Sequence, residues 1–188
     1  MDFLNIVFVT FSMNFGQILD KILKQQPKTI YISGNGAAGK STLAKRLLDE
    51  LIQHGIKAVH IDTDNFLLDS SQRKERGLTS CHKESYDFSN INFDKNFDIT
   101  IIEGIGAAFL NDSDKNFGIF ITLPLNQEIE RRLKRNRNRE SNLSKTELHE
   151  KYTLRRKQFN KDILPLAKNF RFKIASYSII KQNAKETV

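Results

Sequence analysis

The sequence predicts an α/β domain in which a mostly parallel sheet lies between two layers of helices. Two observations carry that expectation. Short β-rich runs alternate along the chain with stretches of helical spacing. One of those runs, Ile99 to Ile102, is continuously apolar but for Thr100, the pattern of a strand buried on both faces. At 188 residues and 39% hydrophobic content, the chain has the length of one domain and enough apolar side chains for one core, so a single domain over 1–188 is expected. With 28% charged residues, nine Gly and three Pro, the composition excludes collagen-like and disordered classes. Cys81 stands alone, which excludes an intrachain disulfide and fits a reducing compartment.

The elements follow in order. Phe3 to Met13 is apolar but too short for a bilayer span, which needs about 20 residues. It also lacks the basic start and small-residue cleavage site of a secretory signal, so a cytoplasmic protein without membrane contact is expected. Residues 1–12 read as an N-terminal extension, because Met13 opens a more ordinary amphipathic run through Phe15, Ile18, Leu19, Ile22 and Leu23. Lys28 to Ser33 is a strand, and Leu43, Leu47, Leu48, Leu51 and Ile52 then recur at helical spacing until Gly55. Gly55 has the place of a C′ residue. Lys57 to Ile61 resumes as a strand and completes a βαβ unit. Ser70 to Lys83 is polar and aperiodic, a surface loop by its pattern; Gly118 to Leu123 gives a fourth strand. A basic helix runs from Asn126 to Arg139, and Ser144-Lys145-Thr146-Glu147 has the spacing of a capping box that opens another. Lys173 to Ile180 closes the sheet, and Lys181 to Val188 is a polar tail.

The net charge of +8 is local: between Glu128 and Lys173 fifteen Lys or Arg face six Asp or Glu, and the remainder of the chain is nearly neutral. Concentrated basic charge admits a nucleic-acid footprint. Here, however, basic residues alternate with core-forming positions such as Leu133, Leu148, Tyr152 and Phe159. A lid that closes on phosphates accounts for the charge more locally, so no nucleic acid is expected as a partner.

Gly34-Asn35-Gly36-Ala37-Ala38-Gly39-Lys40-Ser41 fits G-x-x-x-x-G-K-[ST], followed by Thr42, and lies between a predicted strand and a predicted helix. Glycines let backbone N–H groups close around phosphates, Lys40 reaches the β- and γ-phosphates, and Ser41 offers a hydroxyl to Mg²⁺. The helix that follows turns its positive end to the same anion. The expected fold is thus a P-loop NTPase three-layer α/β/α sandwich with a basic helical lid at about 126–145. No N-K-x-D signature for guanine and no apolar strand ending in Asp-Glu appears, so a small-molecule kinase is the economical reading. Ligands in open α/β sheets bind beyond the carboxyl ends of the strands. Asp62 and Asp64 fall there after the second strand and Glu103 after the third, where phosphoryl transfer needs a carboxylate for the acceptor proton and another for Mg²⁺ or its waters. The four histidines show no metal-ligand spacing.

Beyond the loop, Ile61-Asp62-Thr63-Asp64-Asn65-Phe66, Tyr86-Asp87-Phe88 with Phe93-Asp94, Ile101-Ile102-Glu103-Gly104-Ile105 and Arg131-Arg132-Leu133-Lys134-Arg135 resemble the uridine kinase-like branch of P-loop kinases. That branch includes uridine/cytidine kinase, with nicotinamide riboside, pantothenate and phosphoribulose kinases as relatives. His149-Glu150-Lys151-Tyr152 and Asp162-Ile163-Leu164-Pro165 are a weaker match, and the resemblance spans about Lys28 to Ile174.

The resemblance implies ATP and Mg²⁺ as cofactors and Asp64 as catalytic base. It implies that Glu103 is linked to magnesium, directly or through water, with Ser41 and Asp62 as further metal candidates. Lys40, Arg132 and Arg135 would close on the phosphates, Arg132 also reaching the acceptor; Arg131, Arg137 and Arg139 fit a solvated basic face equally well. Phe66, Tyr86, Asp87 and Phe88 would build an acceptor pocket, an aromatic face with a carboxylate, although a buried turn fits the last three as well. Two departures concern the acceptor: Leu67 stands where uridine kinases carry tyrosine, and either the hairpin bearing the base-binding histidine is missing or that histidine has become Ile91 or Asn92. Kinase activity toward a nucleoside or similar small metabolite is therefore the leading expectation, with nicotinamide riboside, pantothenate or a sugar as other acceptors. A nucleic-acid-stimulated ATPase or nucleotide switch is the alternative, and a homo-oligomer is compatible with the sequence.

Overall fold

A computed structural model describes residues 13–136 and 143–175. The expected N-terminal extension at 1–12, Arg137 and Arg139, and the chain beyond 175 lie outside the described residues. Five strands, β1 (Thr29–Gly34), β2 (Ala58–Asp62), β3 (Ile99–Glu103), β4 (Phe117–Thr122) and β5 (Phe172–Ala175), form one sheet in the order β2-β3-β1-β4-β5. All four pairings are parallel. The central strand β1 therefore lies between β3 and β4, and the crevice past its carboxyl end is where the strand order changes direction.

Alternation along the strands divides the interior in two. Ile30, Ile32, Ile99, Ile101, Ile119 and Ile121 pack against α1 (Phe15–Gln25) and α2 (Lys40–Gln53), whose Ile18, Ile22, Leu43, Leu47 and Leu51 are buried on that side. Tyr31 and Phe120 point the other way, onto α4 (Ala107–Leu110), α6 (Lys145–Asp162) and the 3-10 turn Leu164–Asn169, where Phe159, Ile163 and Phe170 are buried. This is the three-layer α/β/α sandwich that the pattern predicted.

Helix ends follow local chemistry. Asn14 caps α1 in a reciprocal box with Gln17, and Ser144 does the same for α6 with Glu147, as its spacing predicted. Gly55, at φ +75°, turns the chain out of α2. The segment expected as a loop from Ser70 begins instead as the short helix α3 (Ser70–Glu75), because the Asp69 side chain accepts from the N–H groups of Ser71 and Gln72. Its continuation is anchored: Ser85 is buried and its hydroxyl donates to the Thr79 carbonyl at 2.6 Å. The helix expected as a lid, α5 (Leu125–Asn136), packs on α6 through a small third cluster of Ile129, Leu148 and Tyr152.

Leu47, with no exposed surface, fills the interface between α2 and the sheet, so Leu47→Ala should cost about 2–5 kcal/mol in urea unfolding. Ile52→Ala on the same helix, at a side chain 56% exposed, should change stability by less than about 0.5 kcal/mol.

Candidate functional site

The loop after β1 is shaped by close backbone approach. Gly34, at φ +138°, lies so near β4 that a Cβ would stand 2.0 Å from the Ile121 carbonyl oxygen, while Gly39 at φ +95° is the N-cap of α2. Asn35 ties the loop to β4 twice: its N–H donates to the Ile121 carbonyl at 3.1 Å, and its buried side-chain oxygen accepts from the Leu123 N–H at 2.9 Å. Lys40 folds back to donate to the Asn35 carbonyl at 3.0 Å. Burial holds its ammonium below the ordinary lysine range, against the carboxylates of Glu103, Asp64 and Glu128 that favour the charged form.

Beside the loop, Asp62 and Glu103 are register partners at the ends of β2 and β3. One Asp62 oxygen is engaged as a cap, accepting from the Asp64 N–H at 2.9 Å. Asp64 opens onto the cavity. Loss of water around it, with the charges of Asp62 and Glu103, raises its pKa above the usual aspartate range, while Lys40 and Arg73 pull the other way. Glu103 is 2% exposed. Burial works against its charge, but the neighbouring His60, the Ser41 hydroxyl and Lys40 outweigh it and leave the carboxyl below its ordinary value. His60 Nε2 itself stands 3.8 Å from Glu103 Oε1, beyond hydrogen-bond length.

Among the described residues no cluster of three or more His, Cys, Asp or Glu could cage a metal ion. The Ser41 hydroxyl and Glu103 carboxylate are hard oxygen donors at the phosphate loop. That set suits magnesium, which keeps several waters and takes phosphate oxygens as ligands.

The lid reaches the loop through one buried carboxylate. Glu128 on α5 is 3% exposed. Its Oε1 accepts from Arg132 Nε at 2.9 Å and pairs with Arg132 Nη2 at 2.8 Å; its Oε2 accepts from Arg156 Nε at 2.8 Å. Arg156 also donates to the Leu123 carbonyl at 2.7 Å, on the residue whose N–H binds Asn35. A ring of contacts thus runs from loop to β4 end to α6 to α5 and back, since Arg132 lies against Gly36. Arg131 joins it, donating to the Ala37 carbonyl at 3.2 Å, so this side chain is engaged with the loop instead of forming a solvated face.

Lys40, Ser41, Asp64, Glu103, Arg132 and Arg135 line one cavity of about 650 Å³, together with Gly36 and Ala37. Phe66, Tyr86, Asp87 and Phe88 are not in its lining. Tyr86 is buried, stacked on Phe88 at 5.1 Å, and donates its hydroxyl to the Ser80 carbonyl at 2.8 Å. Asp87 caps the following turn by accepting from Ser89. Of the three residues only Tyr86 is buried, tied to the cavity wall through Ser80, while Phe88 is half-buried and Asp87 is exposed, so the buried-turn reading holds for Tyr86 alone. Burial pushes the Cys81 thiol up to about 11, so it is neutral at physiological pH.

Sequence reasoning missed Glu128, Arg156 and Arg73. Two glutamates in a basic helix, Glu128 and Glu130, were the available signal for the first, and nothing local marks Arg156 as facing inward.

A family model described as Zeta toxin matches residues 17–67, which span α1 to the turn carrying Asp64. No curated protein matches the sequence. Among solved structures, a candidate fructose transport system kinase from Silicibacter sp. TM1040 is 18% identical, with a TM-score of 0.55 over 87% of this chain and 98% of that one. The YGR205w protein is 13% identical, with a TM-score of 0.56 over 88% and 94%. Phosphoribulokinase from Rhodobacter spheroides is 16% identical, with a TM-score of 0.54 over 79% and 70%. At these identities the likeness is one of fold, an α/β sandwich of the P-loop NTPase type with a mostly parallel central sheet. No helix among the described residues is long and apolar enough to cross a membrane.

Gly36 gives room to the lid arginine: a Cβ there would lie 1.4 Å from Arg132 Nη2 and 2.8 Å from Glu128 Oε1. Gly36→Ala should therefore force the Arg132 guanidinium away from the buried Glu128 carboxylate and lower the melting temperature, read by thermal unfolding.

Proposed function

We propose that this protein is an ATP- and Mg²⁺-dependent kinase that transfers the γ-phosphoryl group to a hydroxyl of a nucleoside or similar small metabolite. The observation that carries this reading is that Lys40, Ser41, Asp64, Glu103 and Arg132 line one cavity at the carboxyl ends of β1, β2 and β3. The chemistry assigned to each follows from its position. Backbone N–H groups at the start of α2 and the Lys40 ammonium hold the β- and γ-phosphates. Ser41 and Glu103 hold Mg²⁺, which when bound neutralises charge on the phosphate oxygens. Asp64 accepts the proton of the acceptor hydroxyl as its oxygen bonds to the γ-phosphorus; the bridging oxygen leaves with the electron pair on ADP. Arg132 spreads its guanidinium over the transferring oxygens.

The nucleic-acid reading has less support. Arg131, Arg132 and Arg156 direct their charge to Ala37 and Glu128 inside the molecule, which removes three cations from a footprint on the outer face. Phosphoryl transfer uses the same charges where they lie.

A base must be ionised to work, and the crowding around Asp64 raises its pKa. Activity should accordingly rise with pH along an acid limb above the ordinary aspartate range. Asp64→Asn should remove that limb and lower kcat by about 10²–10⁴-fold while ATP affinity changes little. A radiolabelled phosphoryl-transfer assay across pH checks both, and an Asp64→Asn enzyme with near-native turnover would remove Asp64 from the reaction.

A further inference from the structure

The far end of the cavity, beyond Asp64, says what kind of acceptor belongs there. Its wall is the segment Leu67 to Cys81 on one side and α6 on the other. The two are braced by Gln158 Nε2, which lies 3.2 Å from His82 Nε2, and by His82 at 3.6 Å from Asp162. The lining there includes Arg73, Leu78, Thr79, Ser80 and Arg155. Among the described residues Phe159 is its one aromatic lining residue, and that side chain is only 4% exposed. Among the described residues the lining presents no exposed ring on which a nucleobase would stack, and Tyr86 and Phe88, which were expected to supply one, are stacked on each other outside it.

Charge in the cavity is unevenly used. Five cations, Lys40, Arg73, Arg132, Arg135 and Arg155, line it with three carboxylates, Asp64, Glu103 and Glu128. Glu128 is satisfied by Arg132 and Arg156, and Glu103 by Ser41 and its basic neighbours. Lys40 and Arg132 lie against the loop, at Asn35 and Gly36. Arg73, Arg135 and Arg155 are left, and none forms an ion pair with a carboxylate among the described residues, although Arg155 lies 5.9 Å from the Tyr152 ring; of the three, Arg73 and Arg155 flank the end formed by Leu78, Thr79 and Ser80. Arg73 is half-buried and fixed: its Nε donates to the Leu68 carbonyl at 2.9 Å, and its own carbonyl accepts from the Leu78 N–H at 2.7 Å. One edge of the guanidinium is thereby engaged, and the two Nη groups retain the fork that pairs with a carboxylate or phosphate.

Building on the kinase reading above, we infer that the acceptor is a small hydroxy compound bearing a carboxylate or phosphate, and that Arg73, with Arg155 across the cavity, binds this anion. The charge of the acceptor then lies against Arg73 while its hydroxyl reaches Asp64. This arrangement also screens the base from the acceptor's negative charge. A neutral nucleoside would leave both guanidinium groups without an anion and would find no ring face.

The test compares matched acceptors with the full chain and Mg-ATP: glycerate with glycerol, and ribose 5-phosphate with ribose. The carboxylate and phosphate arms distinguish the two sources of charge. The anionic member of at least one pair should be favoured about tenfold or more in kcat/KM, mostly through KM. That preference should fall at least about tenfold in Arg73→Ala and return in part in Arg73→Lys, with Arg155→Ala as a second variant and melting curves as the check on folding. If Arg73 served only to adjust Asp64, its removal would shift the acid limb of the pH profile and spare the preference, which would overturn the proposal. Turnover of uridine or another neutral acceptor in preference to every charged one would overturn it too, while leaving the kinase reading intact. If no acceptor is phosphorylated, calorimetry with a non-hydrolysable ATP analogue decides: binding of glycerate or ribose 5-phosphate that is lost in Arg73→Ala supports the anion site although the kinase reading fails. Absence of such binding overturns the inference.

Discussion

One buried carboxylate holds the site together. Glu128 takes up the charge of two arginines from different parts of the chain, one on its own helix and one on α6, and through Arg156 and Leu123 it is joined to Asn35 in the phosphate loop. A charge of this kind is costly to bury unless its lone pairs are filled, and here both oxygens are engaged. The consequence is geometric. The lid cannot drift from the sheet without exposing an unpaired carboxylate or guanidinium, so the position of Arg132 over Gly36 follows from the packing of α5 on α6. Replacing the network with apolar residues of equal volume would keep the fold and lose the arginine.

The loop needs the complementary condition, a backbone that comes close to its neighbours. Gly34 has no Cβ where β4 passes, Gly36 has none where Arg132 lies, and Gly104 has none where a Cβ would stand 1.9 Å from Thr63 Oγ1. The parallel sheet brings these approaches to one end of the molecule. With β1 in the centre and the strand order changing direction there, the loop after β1, the acids after β2 and β3 and the lid after β4 face one crevice. Burial is the leading influence on Lys40, Asp64 and Glu103; beyond it Lys40 responds to Glu103 and Asp64, Asp64 to Asp62 and Lys40, and Glu103 to His60, Ser41 and Lys40.

Much of this was legible in the sequence because it is local. The phosphate loop, the βαβ unit, the capping box at Ser144 and the acids at strand ends are set by residues within a few positions of one another. The acceptor side was read less well. Tyr86-Asp87-Phe88 has the composition of a pocket, and only the tertiary contact of Tyr86 with Ser80 shows that the ring faces inward. Asp69 as an N-cap turned an aperiodic stretch into α3, a signal present in the sequence but outweighed by the polarity around it. Glu128 and Arg156 are 28 residues apart, and no spacing rule connects them. Arg73 acquires its meaning from a cavity whose other wall is α6.

The claim that Glu128 acts through Arg132 is open to a direct measurement: a double-mutant cycle with Glu128→Gln, Arg132→Ala and the pair, read as affinity for Mg-ATP by calorimetry with stability followed in parallel. Two residues in one network should be strongly non-additive, so the double variant should lose no more affinity than the worse single variant. Losses that multiply would contradict the account, since they would mean that Glu128 and Arg132 contribute to nucleotide binding independently.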